Sequence, residues 1–237
     1  MKLACPKPFI FNNPTPICVI TCGDRITELL KGELKAHQVT QKSAGSIAGL
    51  FQVSHIAEKF LHVTGVFGAP SMQVVSETLF ASGVTEIIII GYAGAIDKIS
   101  DCRIGDVILP SASYFDGKDF DETFTESYVE ISPSPLHAEI VENIHSRSLP
   151  IGTTLSPYFH SESFLQAIDD KKIQAIEMEF GIACRVAKKY NANASATFII
   201  SDTLSDETWS SSFHSKLLKE NTQSLIKALL PILLSRS

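Results

Sequence analysis

The stretch KKIQAIEMEFGIACRVAKKYNANASATFIISDTLSDETW, residues Lys171 to Trp209, carries the pattern that decides the fold. Its first half places apolar residues at helical spacing, so a helix is predicted over Ala175 to Lys189, with Glu177-Met178-Glu179 in its opening turns. The polar turn Asn191 to Asn193 then leads into the apolar run Ala196 to Ile200, a strand that ends on Ser201-Asp202. Two carboxylates two residues apart on a helix cannot share a face. One of Glu177 and Glu179 is therefore expected to reach a site directly. An acid at the end of an apolar strand is a second candidate, because partial burial favours its protonated form.

To the N-terminal side, residues 1–16 hold four prolines and read as an irregular arm. A single domain then spans residues 17–237. Strand Ile17 to Thr21 leads through Gly23 into helix Arg25 to Leu34, and residues 47–67 alternate apolar and polar as two antiparallel strands do. Helix Ser71 to Ser82 stops at Gly83. Ile87 to Ile90 is apolar on both faces, as a central strand covered by helices on both sides must be. Val107 to Pro110 is a further strand, and Phe115 to Pro135, rich in Asp, Glu, Ser and Thr, reads as a surface insertion. Helix Leu136 to Ser146, strand Ile151 to Leu155, helix Glu162 to Asp169 and a C-terminal helix Phe213 to Leu234 complete an α/β chain with a mixed central sheet between helices.

With 237 residues, 44% of them hydrophobic, the chain is long enough for one large core. A net charge of -6 without a Lys/Arg cluster argues against a nucleic-acid surface. The five cysteines are odd in number and form no CxxC, so neither a disulfide framework nor a zinc site is indicated; no metal or organic cofactor is expected. The opening Met1 to Cys5 lacks the apolar region of a lipoprotein signal, and no run approaches a membrane span. A cytoplasmic protein without membrane contact is the expectation.

Three segments in order, IIIIGYAGAI (Ile87 to Ile96) followed by KISDCRIGDVILPSAS, then EME, then SD, resemble the nucleoside phosphorylase and nucleosidase superfamily. CVITCGDR and TGVFGAPS (Thr64 to Ser71) add to the likeness, which runs across nearly the whole chain. The resemblance implies cleavage of the N-glycosidic bond of a nucleoside, in a homodimer or an assembly of dimers. In purine-cleaving members the aspartate of the SD pair protonates the purine N7 while the serine hydrogen-bonds it. Uridine phosphorylases lack that aspartate, so the resemblance points to a purine-type base. By this likeness Asp202 is the general acid beside Ser201, Glu179 clamps the ribose hydroxyls, Met178 packs under the sugar and Glu177 approaches the base. Phe159 is the aromatic expected to stack on the base, with His160 a weaker candidate, and Phe213 is expected near the sugar's 5' end.

At the nucleophile the chain departs from its relatives. The resemblance maps the phosphate-binding GDPxR turn onto Gly23-Asp24-Arg25, without the proline and spacer. It places Ile89 at a second arginine position and Tyr92, after Gly91, at a hydroxyl position. Arg25 as an anion contact slightly favours phosphorolysis, with inorganic phosphate as co-substrate. Hydrolysis stays open, although Arg25 stands near the nucleosidases' glutamate, leaving Asp24 or Glu28 to substitute. A third reading, a binding or storage-like protein that has lost its nucleophile site, fits the changes at Ile89 and Tyr92. Retention of Asp202 speaks against it, since binding alone needs no acid. No GxGxxG, GxSxG, HExxH or GxxxxGKS motif supports another class.

Overall fold

A computed structural model describes residues 15–115, 126–131, 134–158, 160–205 and 208–236. Its first part runs β1 (Ile17–Thr21), α1 (Asp24–Ala36), β2 (Gln41–Ile47), β3 (Phe51–Ile56), β4 (Phe60–Thr64), α2 (Gly68–Ala81), β5 (Glu86–Ile96), β6 (Val107–Tyr114) and β7 (Tyr128–Glu130). Then come α3 (Pro135–Asn143), β8 (Arg147–Thr153), α4 (Glu162–Asp170), β9 (Ala175–Glu177), α5 (Phe180–Tyr190), β10 (Asn193–Leu204), β11 (Trp209–Ser211) and α6 (Lys216–Ser235). All of the described strands join one mixed sheet, in the order β11-β10-β6-β8-β9-β5-β1-β4-β3-β2, with β7 on β6. Because β10 also pairs with β5 in parallel, strands β5, β10, β6, β8 and β9 close into a ring.

Strand alternation sorts most of the apolar side chains into two cores, beside a smaller cluster around Tyr114, Phe164 and Ile173. On β5, Ile87 and Ile89 face a core built with α2 and α5, whereas Ile88 and Ile90 face one built with α1, α3 and α6. Cys18 and Ile20 of β1 join the first core; Ile17 and Val19 join the second. A β-strand apolar on both faces is thus buried on both. Three helices start on serine caps: Ser134, Ser161 and Ser215 each accept from the backbone N–H three residues on.

The mixed α/β sheet expected from the sequence is present, with several boundaries revised. Ala175 to Glu177 is not the start of a helix. It is a strand, because Ala175 and Ile176 pair with Ala95 and Gly94 on one side and with β8 on the other, and that pairing overrides helical spacing. Glu177, Met178 and Glu179 therefore sit at a strand-to-helix junction, with Glu179 at the N-cap of α5. Gly91 and Gly94 do not interrupt β5, which continues through both to Ile96 against β10. Strands β2, β7 and β11 were not anticipated, and the last helix begins at Lys216 rather than Phe213. Most of the 1–16 arm, and most of the insertion after Phe115, lie outside the described residues.

Inside the sheet, His62 of β4 is 2% exposed, and its Nε2 lies 2.9 Å from the Thr21 hydroxyl, itself 2.7 Å from that of Thr27. Burial, with a smaller push from Lys31, lowers the His62 pKa from 6.5 to about 4. Between those values the unfolded chain binds the proton and the folded one does not, so stability falls as pH falls. Urea unfolding should show the protein losing about 3 kcal/mol between pH 7 and pH 4 that a His62→Gln variant does not lose.

Candidate active site

A cavity of about 400 Å³ opens at the carboxyl ends of β1, β5, β8, β9 and β10. Cys22 and Gly23 follow β1, Tyr92 to Gly94 lie on β5, Thr154 follows β8, Glu177 ends β9, and Ser201-Asp202 lie on β10; all of them line it. Ligand sites of open α/β sheets characteristically lie at this end of the strands. Two other hollows, of about 670 and 550 Å³, hold charged side chains that pair with each other, Lys188 with Glu126 and Arg147 with Asp106.

Asp202 reaches the cavity through an irregularity in the sheet. The β10–β5 register slips between Ile200 and Asp202, leaving Ser201 as an extra residue, so both Ser201 and Asp202 line the cavity. Bulges of this kind re-aim side chains beside sites. Opposite them stands Gly94, where an added Cβ would come within 2.6 Å of Asp202 Oδ2; at Gly91 a Cβ would meet the Phe198 ring at 2.8 Å. The two glycines are needed for close approach. Asp202 is 9% exposed; the Ser201 hydroxyl donates to its Oδ1 at 2.5 Å and the Trp209 indole N–H to its Oδ2 at 2.8 Å.

The two glutamates are buried for different reasons. Glu177 Oε2 accepts from the backbone N–H of Glu179 and of Phe180, both at 2.7 Å, and Oε1 accepts from the Thr153 hydroxyl. It thereby caps α5. Glu179 Oε1 accepts from the N–H of Gly68 at 2.6 Å, the first residue of α2. Each carboxylate thus meets the positive end of a helix. Burial nonetheless dominates: it pushes both pKa values up, and for Glu177 the Glu179 charge adds to the rise. Three donated bonds oppose that rise at Glu177 without cancelling it.

Around the expected nucleophile loop, Gly23 has φ +107, a conformation that favours glycine, and the Tyr92 ring would lie 3.9 Å from a Cβ there. Tyr92 meets Phe213 edge-on at 5.6 Å, and its hydroxyl lies 3.3 Å from Thr222. Met178 and Phe213 line the cavity. Arg25 does not; its guanidinium donates to the Phe213 carbonyl. Asp24 and Glu28 are exposed and outside the lining; Gly91 is buried and also outside it, and Ile89 is core. Phe159 lies outside the described residues, whereas His160 lines the cavity and stacks on Phe164 at 5.3 Å. Sequence reasoning missed Phe67, Tyr158 and Trp209 at the mouth. Trp209, the chain's one tryptophan, seven residues past Asp202, was the signal available. Among the described residues no three His, Cys, Asp or Glu side chains converge to hold a metal.

Fold and cavity define an α/β protein whose cavity at the strand ends is rich in carboxyl groups. The chain belongs to the phosphorylase superfamily, whose family model matches residues 16–232. A DeoD-type purine nucleoside phosphorylase of Bacillus cereus (strain B4264) is 28% identical over 143 residues, covering 57% of this chain and 60% of that protein. The matched stretch thus spans less than two thirds of that relative's length. Among solved structures, a mutant 5'-methylthioadenosine/S-adenosylhomocysteine nucleosidase of Helicobacter pylori, with 5'-methylthioadenosine in its active site, superposes with TM-score 0.70 at 17% identity, covering 93% of this chain and 99% of that one. A futalosine hydrolase mutant of the same organism gives 0.68 at 17% identity, with the same coverage. Uridine phosphorylase of Vibrio fischeri ES114 gives 0.70 at 16% identity, covering 99% of each chain. At these identities the likeness to the solved structures establishes the fold.

The glutamate contacts set an order of stability costs. Glu177→Ala orphans three donors and should destabilise the protein by about 3 kcal/mol, against about 1 kcal/mol for Glu179→Ala, which orphans one. Equal losses in urea unfolding would contradict the capping role given to Glu177.

Proposed function

We propose that this chain cleaves the N-glycosidic bond of a purine-type nucleoside, with water as the nucleophile. The observation that carries this reading is that Asp202 with Ser201, and Met178 with Glu179, line one cavity from opposite sides of β5. Gly94 of β5 pairs with Asp202 on one side and with Ile176 on the other. Two inter-strand spacings, about 10 Å, separate the acid from the glutamate segment. A base at Asp202 and a ribose at Glu179 fit that separation.

In this reading Asp202 gives its proton to a ring nitrogen of the base as the glycosidic bond breaks. The bond's electron pair leaves with the base, and the sugar becomes cation-like at its anomeric carbon. Glu179 accepts from the ribose hydroxyls, and its carboxylate favours the developing positive charge. Water then adds to the anomeric carbon and its proton restores the acid. Ser201 and Trp209 orient the Asp202 carboxyl, and Met178 and Phe213 supply apolar contact.

The sequence slightly favoured phosphate as the nucleophile through Arg25. Against a phosphate dianion stands a lining with no Lys or Arg side chain among the described residues. The Arg25 guanidinium is engaged by a carbonyl. A dianion without a cation is disfavoured in a partly enclosed site.

Base release from inosine, adenosine, guanosine, methylthioadenosine, S-adenosylhomocysteine, futalosine and uridine, with and without phosphate, tests the proposal. Release of a purine-type base without phosphate is expected. Strict dependence on phosphate would replace water with phosphate and return Arg25 to the site, and no release from any member would sink the reading. Asp202→Asn should lower kcat by ~10²- to 10⁴-fold while nucleoside affinity, read by calorimetry, stays within a few-fold.

A further inference from the structure

Trp209 opens β11, opposite Leu204 in the antiparallel pairing with β10, which sets it on the diagonal from Asp202. Diagonal neighbours stand about 7–8 Å apart, a span that an indole bridges. Its Nε1–H donates to Asp202 Oδ2 at 2.8 Å, and its ring stands edge-on to Tyr158 at 6.2 Å. Trp209 is still 51% exposed, and all three residues of β11 are exposed. One hydrogen bond to a buried carboxyl and one ring edge keep a large apolar side chain half in water at the cavity mouth.

From this juxtaposition we infer that Trp209 is a positioning residue for Asp202: its indole N–H holds Oδ2 while the cavity is free of ligand and yields that oxygen to the base when a nucleoside enters. The inference rests on the reading of Asp202 as proton donor. A carboxyl that accepts from Ser201 on one oxygen and from Trp209 on the other has both oxygens engaged and its plane fixed. Withdrawal of the indole removes one donor and leaves Oδ2 open to the cavity. Ligand entry and the release of Oδ2 are then one linked event. Trp209 also screens turnover, since only a ligand that offers Oδ2 a partner replaces what the indole gave.

The chain has a single tryptophan, so its fluorescence reports this side chain alone. Mixing the protein with a nucleoside of the panel should change the emission as the indole leaves Oδ2; an emission that stays unmoved while base is released would overturn the inference. On whichever nucleoside is cleaved, Trp209→Phe should lower kcat by about tenfold with KM within a few-fold of the parent, whereas Trp209→Gln, which retains a donor, should stay near the parent. Circular dichroism confirms that both variants are folded. A kcat unchanged in Trp209→Phe refutes the inference and leaves the proposed function standing. If no nucleoside is cleaved the proposed function falls, and the emission change on mixing still decides whether the indole leaves Asp202.

Discussion

The parallel pairing of β5 with β10 is the constraint from which the rest of the molecule follows. It runs from Glu86 with Asn193 to Ile96 with Leu204, and its two halves do different work. In the lower half, isoleucines on both faces of β5 bind the two helical layers together. In the upper half, glycine replaces bulk. Gly91 admits the Phe198 ring, and Gly94 leaves room for the Asp202 carboxyl. One ladder thus passes from packing to chemistry without interruption, and the bulge at Ser201 marks the change. A side chain at Gly94 would compete with the acid for the same space, so the position of Asp202 is fixed by an absence of atoms across the ladder.

The second organising effect is the use of helix N-termini to hold acid groups in a buried place. Neither α2 nor α5 has a side-chain cap from its own N-cap residue. Glu179 satisfies the first N–H of α2, and Glu177 those at the start of α5. These contacts tie two helices from the same layer to the cavity wall, and they offset part of the desolvation that raises both pKa values. The Cys22 thiol feels the same surroundings: burial and both glutamates push it far above the ordinary range.

Much of this was legible in the residues. Strand β1 and the core of β10 follow from unbroken apolar runs, and the helices α1, α2 and α4 from spacing and stops. Local spacing gave the wrong element at Ala175 to Glu177, because three residues of strand owe their form to partners on β5 and β8 that are distant in sequence. The same limit hid β11 and with it Trp209, whose exposed residues carry no apolar alternation. The glycines of GYAGAI lie within a strand, where they make room for side chains on the neighbouring β10, a use that only the paired strand reveals. Asp202, Ser201, Met178, Glu177, Glu179, Tyr92, Gly23 and Phe213 all come together in one cavity, while Arg25 stands outside its lining with its guanidinium on the Phe213 carbonyl, an acceptor from a distant part of the chain that no local pattern reveals.

The ring of β5, β10, β6, β8 and β9 also sets an order of assembly. Its two most extensively paired strands are separated by nearly half the chain, so their ladder closes only after a long loop has given up its entropy. Translation delivers β1 through β5 first, with one edge of β5 unpartnered until β10 arrives close to the end. Contacts this distant slow folding and expose an apolar edge in the meantime. The strand that carries Asp202 is thus also the strand that seals the sheet, and the cavity comes into being in the same step that ends the hazard of aggregation.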